Sequence, residues 1–60
     1  MEVEQILLFA ERTRDVLLGE CRRLQAAGDL TKAQQVMTAI QDIEQRMRAL
    51  EAQMRRERLN

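Results

Sequence analysis

The 60-residue chain has no histidine, proline, serine, tryptophan or tyrosine, and its only cysteine and only phenylalanine are Cys21 and Phe9. A structural zinc site takes four Cys or His ligands, which this composition cannot supply, and a single cysteine excludes an internal disulfide. No glycine-rich loop precedes a helix, and no nucleophile stands near a base, so the sequence offers no residues for phosphate binding or catalysis. We therefore expect no catalytic residue, no metal and no cofactor, and we interpret the chain as a non-enzyme.

The charge balance and the short apolar runs argue against two kinds of partner, nucleic acid and membranes. Ten basic and ten acidic residues cancel, which argues against general attraction to nucleic acid or to an anionic membrane. The apolar run over residues 6–10 is shorter than a signal-peptide core and far shorter than the ~20 residues of a membrane span. The acidic start also argues against a signal peptide, and the lone cysteine fits the reducing cytosol. We expect a cytoplasmic protein with no membrane partner.

Strong helix formers dominate the chain, and one break divides it. Gln, Glu, Arg, Leu, Ala and Met make up most of the sequence, which is typical of long helices and coiled coils. Gly28 suits the left-handed position that ends a helix, and Asp29 or Thr31 can cap the next one. We predict an all-α fold, an antiparallel two-helix hairpin that forms one domain over residues 1–60, with helix 1 at about 3–27, a turn at 28–31 and helix 2 at about 32–58. One continuous helix in a coiled coil is the alternative.

Helix 2 carries one narrow apolar stripe. From Ala33 onwards, apolar residues recur in alternating steps of three and four, which is typical of a coiled-coil seam. The predicted hairpin seam consists of Val36, Ile40, Ile43, Met47, Leu50 and Met54. Such a stripe fits against one helix or into the groove between two. The pattern leaves open whether that helix belongs to the same chain.

Helix 1 carries more apolar surface than one neighbouring helix covers. At 100° per residue its broad apolar sector contains Val3, Ile6, Phe9, Ala10, Thr13, Val16, Leu17, Cys21, Leu24 and Ala27. Leu7 extends the edge of this sector, whereas Leu8 and Leu18 fall outside it, on the side shared with several charged residues. One part of helix 1 is expected to pack on the seam of helix 2, and the surplus needs another cover.

The surplus apolar surface predicts a binding partner. A chain of about 60 residues buries only ~60% of its unfolded surface, and without a disulfide or metal it usually gains stability by association. Exposed apolar patches usually mark interaction sites. The predicted partner-binding residues are Leu7, Leu8, Val16, Leu17, Leu18, Cys21 and Leu24. The partner is another protein or a second copy of the chain.

The end of helix 2 is rich in arginine. Arg46, Arg48, Arg55, Arg56 and Arg58 lie close together along it, offset by Glu51 and Glu57. No aromatic platform for bases accompanies them, and we do not expect nucleic acid as a partner. The alternative function is a homodimeric four-helix-bundle regulator that binds RNA through Arg46, Arg48 and Arg55.

One stretch of the chain is similar to a known family. Residues 17–28, Leu-Leu-Gly-Glu-Cys-Arg-Arg-Leu-Gln-Ala-Ala-Gly, followed by a glutamine-rich helix through Ile43 and Glu44, resemble the small E-type co-chaperones of bacterial type III secretion needles. The resemblance implies a cytoplasmic helical hairpin that pairs with a larger helical-repeat chaperone, so that the needle subunit stays unpolymerised until export. The residues that match by position are Leu17, Leu18, Cys21 and Leu24. The expected function is that of a co-chaperone or adaptor in such a complex.

Overall fold

The computed structural model describes residues 2–59, with side chains for residues 2–58. Within this range the chain forms two α-helices, α1 at Val3–Ala26 and α2 at Leu30–Leu59. They lie side by side in opposite directions and form a rod of 49 × 15 × 14 Å. The predicted all-α hairpin is confirmed, and the alternative of one continuous helix is wrong. Neither helix, over the residues described, has the length and apolar character needed to cross a membrane.

Gly28 ends α1 in the way its position predicts. Its φ of 80° lies in the left-handed region, which glycine adopts without the steric cost of a Cβ atom. The N–H of Gly28 donates to the carbonyl of Gln25 at 3.0 Å, and the N–H of Asp29 donates to the carbonyl of Leu24 at 2.9 Å. This pair of bonds is a Schellman motif. It makes Ala27 the C-cap, so α1 ends one residue before the predicted boundary at 27.

Asp29 caps the N-terminus of α2, which begins at Leu30, two residues before the predicted boundary at 32. Its Oδ1 accepts a hydrogen bond from the backbone N–H of Lys32 at 3.2 Å, which is the N-cap interaction. Thr31, the other predicted cap, lies inside the first turn of the helix. The connection therefore has three residues, Ala27, Gly28 and Asp29, and short connections of this kind make helices antiparallel neighbours.

The core lies near the turn, between the two helices. Cys21, Ala33 and Ile40 form a buried cluster in which Ile40 is 1% exposed. Half-buried side chains pack against this cluster, namely Leu17, Leu18, Leu24, Val36 and Met37. The Cys21 Sγ lies 3.6 Å from the carbonyl oxygen of Ala33 as a weak donor, so the backbones come close where both facing residues are small. Met47 is buried further along α2.

The opposite end of the hairpin is less tightly closed. Val3 and Met54 are half-buried there and line an open cleft of about 430 Å³ together with Glu2, Glu4, Glu57 and Arg58. The Nη2 of Arg58 lies 3.9 Å from the Oε1 of Glu4 across the two helices. The acidic start of α1 thus faces the basic end of α2, as the antiparallel arrangement predicts.

Candidate protein-interaction surface

The apolar seam of α2 faces α1 of the same chain. Ile40 and Met47 are buried along it, and the other seam residues are half-buried, namely Val36, Ile43, Leu50 and Met54. Ala33 and Ile40 share the buried cluster with Cys21 of α1. The sequence pattern left open whether the seam packs on a helix of the same chain. These contacts show that it packs on α1 and holds the hairpin together.

The structure separates the predicted partner-binding residues into two groups. Cys21 is 3% exposed in the core, and three of the leucines pack against that core, namely Leu17, Leu18 and Leu24. Leu7 is half-buried. Only Leu8 and Val16 of this set are exposed, at 48% and 72%. Most of the set is therefore engaged inside the hairpin, and the surface part is small.

The prediction that Leu18 lies on the outside of helix 1 is wrong. The sequence pattern placed Leu18 outside the apolar sector and Phe9 inside it, yet Leu18 packs on the core and Phe9 is 73% exposed. Cys21 sets the inward direction of α1, because it lies in the buried cluster with Ala33 and Ile40. With 3.6 residues per turn, Leu18 lies only about 60° from Cys21 around the helix, whereas Phe9 lies about 120° away. Phe9 is an exposed apolar residue of α1 that the sequence reasoning left out of the partner-binding set.

Five exposed residues of α1 share the side of the helix that points away from α2. We call this the outer face, and it consists of Leu8, Phe9, Arg12, Val16 and Gly19, all of which are exposed. Its three large apolar side chains are Leu8, Phe9 and Val16. Steps of three and four residues bring side chains to the same side of a helix, so these residues are neighbours over about three turns. Another helix fits a surface with this spacing.

Gly19 has no role in the hairpin contact. A Cβ atom at this position would meet nothing within 4 Å among the described residues. Glycine inside a helix costs about 1 kcal/mol relative to alanine, and a residue without a side chain lets another helix approach closely. The helix α2 of the same chain does not approach there. The outer face thus ends in a position with space for a side chain from outside the hairpin.

Charge is unevenly distributed along α1. Residues 2–11 contain three glutamates and no basic residue, whereas residues 12–26 contain four arginines and two acidic residues. Within residues 12–26, the Nε of Arg23 donates to the Oε2 of Glu20 at 3.0 Å, and a second contact joins Arg23 Nη2 to Glu20 Oε1. This hydrogen-bonded pair lowers the pKa of the Glu20 carboxyl and raises the pKa of Arg23. The first half of α1 is acidic, and the second half is basic.

The hairpin leaves a large surface in contact with solvent. Its accessible surface is 4925 Å², whereas a compact monomer of 7.0 kDa is expected to expose about 4000 Å². Part of the difference follows from the rod shape. The excess of roughly 900 Å² is similar to the ~800 Å² that each partner contributes to a stable protein interface. Burial of one ordinary interface would thus bring the exposed area of the hairpin close to that of a compact monomer.

The arginine-rich end of α2 forms an exposed surface. Arg46, Arg48 and Arg55, the residues of the RNA-binding alternative, are all exposed. The Nη2 of Arg46 lies 3.2 Å from the Oδ2 of Asp42 one turn away, so part of its charge is already balanced. The described residues contain no group of three or more acidic or cysteine side chains placed to hold a metal ion.

Comparison of the chain with models of protein families, with curated proteins and with solved structures finds no match. The likeness of residues 17–28 to the type III secretion co-chaperones therefore stays a prediction. The candidate binding surface is therefore identified from the structure of the chain itself, and it is the outer face of α1.

Proposed function

We propose that this protein is a cytoplasmic, non-enzymatic helical interaction module that acts as a co-chaperone or adaptor in a type III secretion needle–chaperone complex. The observation that carries the proposal is the outer face of α1, where Phe9 and Val16 are 73% and 72% exposed although α2 already occupies the other side. Large apolar side chains grouped on one exposed face are typical of interaction sites. The function follows from covering apolar helix surface rather than from chemistry.

The expected partner surface is a helix or a helical groove. The outer face has the spacing of a helix-binding stripe, and Gly19 leaves room for close approach at one end of it. An amphipathic helix that lays its apolar residues in a groove is a common mode of recognition. A helical-repeat chaperone offers such grooves between its helices. This chemistry supports the kind of partner that the resemblance of residues 17–28 implies.

The proposal assigns different roles to the residues of the resemblance and to the outer face. Leu17, Leu18, Cys21 and Leu24 pack in or against the core of the hairpin, so they stabilise the platform. Phe9 and Val16 lie on the side of α1 that is free to contact a partner. Loss of a residue from the first group should unfold the hairpin, and loss of a residue from the second should weaken binding alone.

The test is co-expression of this chain with the needle subunit and the helical-repeat chaperone of a type III secretion system from the same organism. We expect a complex of fixed stoichiometry by size-exclusion chromatography with light scattering, and a needle subunit that stays unpolymerised. Phe9→Gln should weaken the complex about tenfold or more, since aromatic anchors dominate such interfaces.

Leu30→Gln is the matched control. Leu30 is a large apolar residue with similar exposure, 67%, but it lies at the turn and outside the outer face. Its replacement should leave the complex and the circular dichroism spectrum unchanged. If the native chain binds neither protein, or if the two variants weaken the complex equally, the proposed function is contradicted.

A further inference from the structure

We infer that the outer face of α1 also binds the same face of a second copy of this chain, with the two α1 helices antiparallel and related by a two-fold axis near residue 14. This inference rests on the proposed function in one respect, namely that the outer face is a docking surface. It goes further by naming an occupant and the residues that meet. The two hairpins would then form a four-helix assembly with both α1 helices inside.

The charge distribution of α1 selects the antiparallel arrangement. In residues 2–11 three glutamates stand without a basic residue, and in residues 12–26 four arginines outnumber two acidic residues. An antiparallel pair places each acidic half beside the basic half of the other copy, whereas a parallel pair places like charges together. Complementary charge fixes register and suppresses wrong pairings. The face is therefore complementary to itself in one orientation.

The shape of the outer face agrees with the same register. A two-fold axis near residue 14 brings Phe9 of each copy opposite Gly19 of the other. Phe9 is the most exposed of the large apolar side chains, and a Cβ atom at Gly19 would meet nothing within 4 Å. The largest side chain of the face thus meets the position with no side chain. In an isologous interface this contact occurs twice.

The residues around the axis and at the flanks match in charge. In this register Arg12 of one copy lies opposite Val16 of the other copy and close to its Asp15. The positive charge of Arg12 there offsets the repulsion between Glu11 of one copy and Asp15 of the other. On the flank, Glu4 comes level with the region of Arg22 in the second copy. Arg12 belongs to the outer face itself. The other four charged residues lie beside this face and are all exposed, namely Glu4, Glu11, Asp15 and Arg22.

Dimerisation would bring the exposed area of the hairpin close to that of a compact protein. The hairpin exposes 4925 Å², about 900 Å² more than a compact monomer of its mass, and each partner of a standard interface buries ~800 Å². Because the same face would bind the proposed helical partner, dimer and complex compete. Self-association would cover Phe9 and Val16 until a partner displaces the second copy.

The test uses the purified, intact 60-residue chain without any partner. Sedimentation equilibrium from low micromolar to high micromolar concentrations should show a reversible monomer–dimer equilibrium. Phe9→Gln should raise the dissociation constant about tenfold or more, because the substitution removes two aromatic anchors from one interface. Leu30→Gln, which changes an equally exposed leucine at the turn, should leave the constant unchanged.

A mixing experiment tests the antiparallel register. Glu4→Arg and Arg22→Glu each place like charges together twice in a homodimer, and each should weaken it about fivefold. When the two variant proteins are mixed in equal amounts, the mixed dimer has opposite charges at both contacts, so native affinity should return. Rescue by mixing does not depend on contacts within one chain, such as that between Glu4 and Arg58.

Three results would overturn the inference. One is a chain that stays monomeric at all concentrations, and another is a dimer that tolerates Phe9→Gln. The third is a dimer that loses affinity with the charge variants but does not regain it on mixing, since the two copies would then not meet in this register. None of these results contradicts the proposed function, because binding to a helical partner is measured separately by co-expression.

Discussion

The two ends of the hairpin are held together in different ways. At the turn end, the chain connection, the Schellman motif and the cap of Asp29 fix the helices, and the small residues Cys21 and Ala33 let them approach closely. At the open end, half-buried Val3 and Met54 border a cleft. An exposed ion pair between Glu4 and Arg58 spans the two helices there.

This difference indicates that stability decreases along the rod from the turn end to the open end. Buried apolar contacts and satisfied helix ends are concentrated within the half that contains the turn, and exposed ion pairs contribute only about 0–1 kcal/mol. Local opening draws on regions with few buried contacts. We therefore expect the open end to fray first, so substitutions at the turn end should cost more than equivalent ones at the open end.

Ile40→Ala should have the largest effect. Ile40 is 1% exposed in the central cluster, and truncation of a fully buried isoleucine to alanine typically costs about 2–5 kcal/mol. Met54→Ala, at the half-buried open end of the same seam, is the matched comparison and should cost less than half as much. Urea unfolding followed by circular dichroism, at one fixed protein concentration, measures both. Equal costs would show that the two ends are equally well packed.

Gly28→Ala should have the next largest effect. An alanine at a φ of 80° is strained by about 1–2 kcal/mol, and the Schellman motif that joins the helices depends on this conformation. Gly19→Ala is the matched control, because Gly19 is helical and exposed, and it should stabilise the monomer by about 1 kcal/mol. The pair is measured by thermal unfolding at concentrations low enough to exclude self-association. Destabilisation by both would contradict the different roles assigned to the two glycines.

Asp29→Ala should cost about 1 kcal/mol, since it removes the N-cap of α2. The Oδ1 of Asp29 accepts the backbone N–H of Lys32 at 3.2 Å, whereas Thr31 lies inside the first turn. Thr31→Ala should therefore change the free energy of unfolding by less than about 0.5 kcal/mol. The opposite ranking, measured by urea unfolding, would restore Thr31 as the cap and move the start of α2.

The sequence predicts α2 better than α1. The seam of α2 alternates in steps of three and four without interruption, so only one side of that helix can face inward, and Ile40 and Met47 are indeed buried on it. In α1, apolar residues occur nearly all around the helix. The side of α1 that faces α2 is set by Cys21, which is small enough to lie in the buried cluster with Ala33 and Ile40. Spacing within α1 alone does not contain this information, which is why the sequence pattern predicts the wrong side of the helix for Leu18.

The turn was predictable as far as the identity of its glycine. Gly28 is the only glycine near the break, and its left-handed conformation follows from its chemistry. The choice between Asp29 and Thr31 as the cap did not follow, because either side chain can accept a backbone N–H. The Schellman motif decides it, since the N–H of Asp29 already bonds back to Leu24 and the next helix starts directly after it.

The smallest effect concerns the pH dependence of the turn end. The hydrogen bond from Arg23 lowers the pKa of the Glu20 carboxyl below its usual value of 4.5. A group whose pKa is lower in the folded state stabilises that state above its unfolded pKa, and the contribution disappears as the pH falls through the folded pKa. Thermal unfolding from neutral to acidic pH should therefore show a slight loss of stability below about pH 4.5 that Glu20→Gln removes. Because both side chains are solvated, the effect should shrink with added salt, and a loss that persists in the Gln variant would assign the pH dependence to other carboxyls.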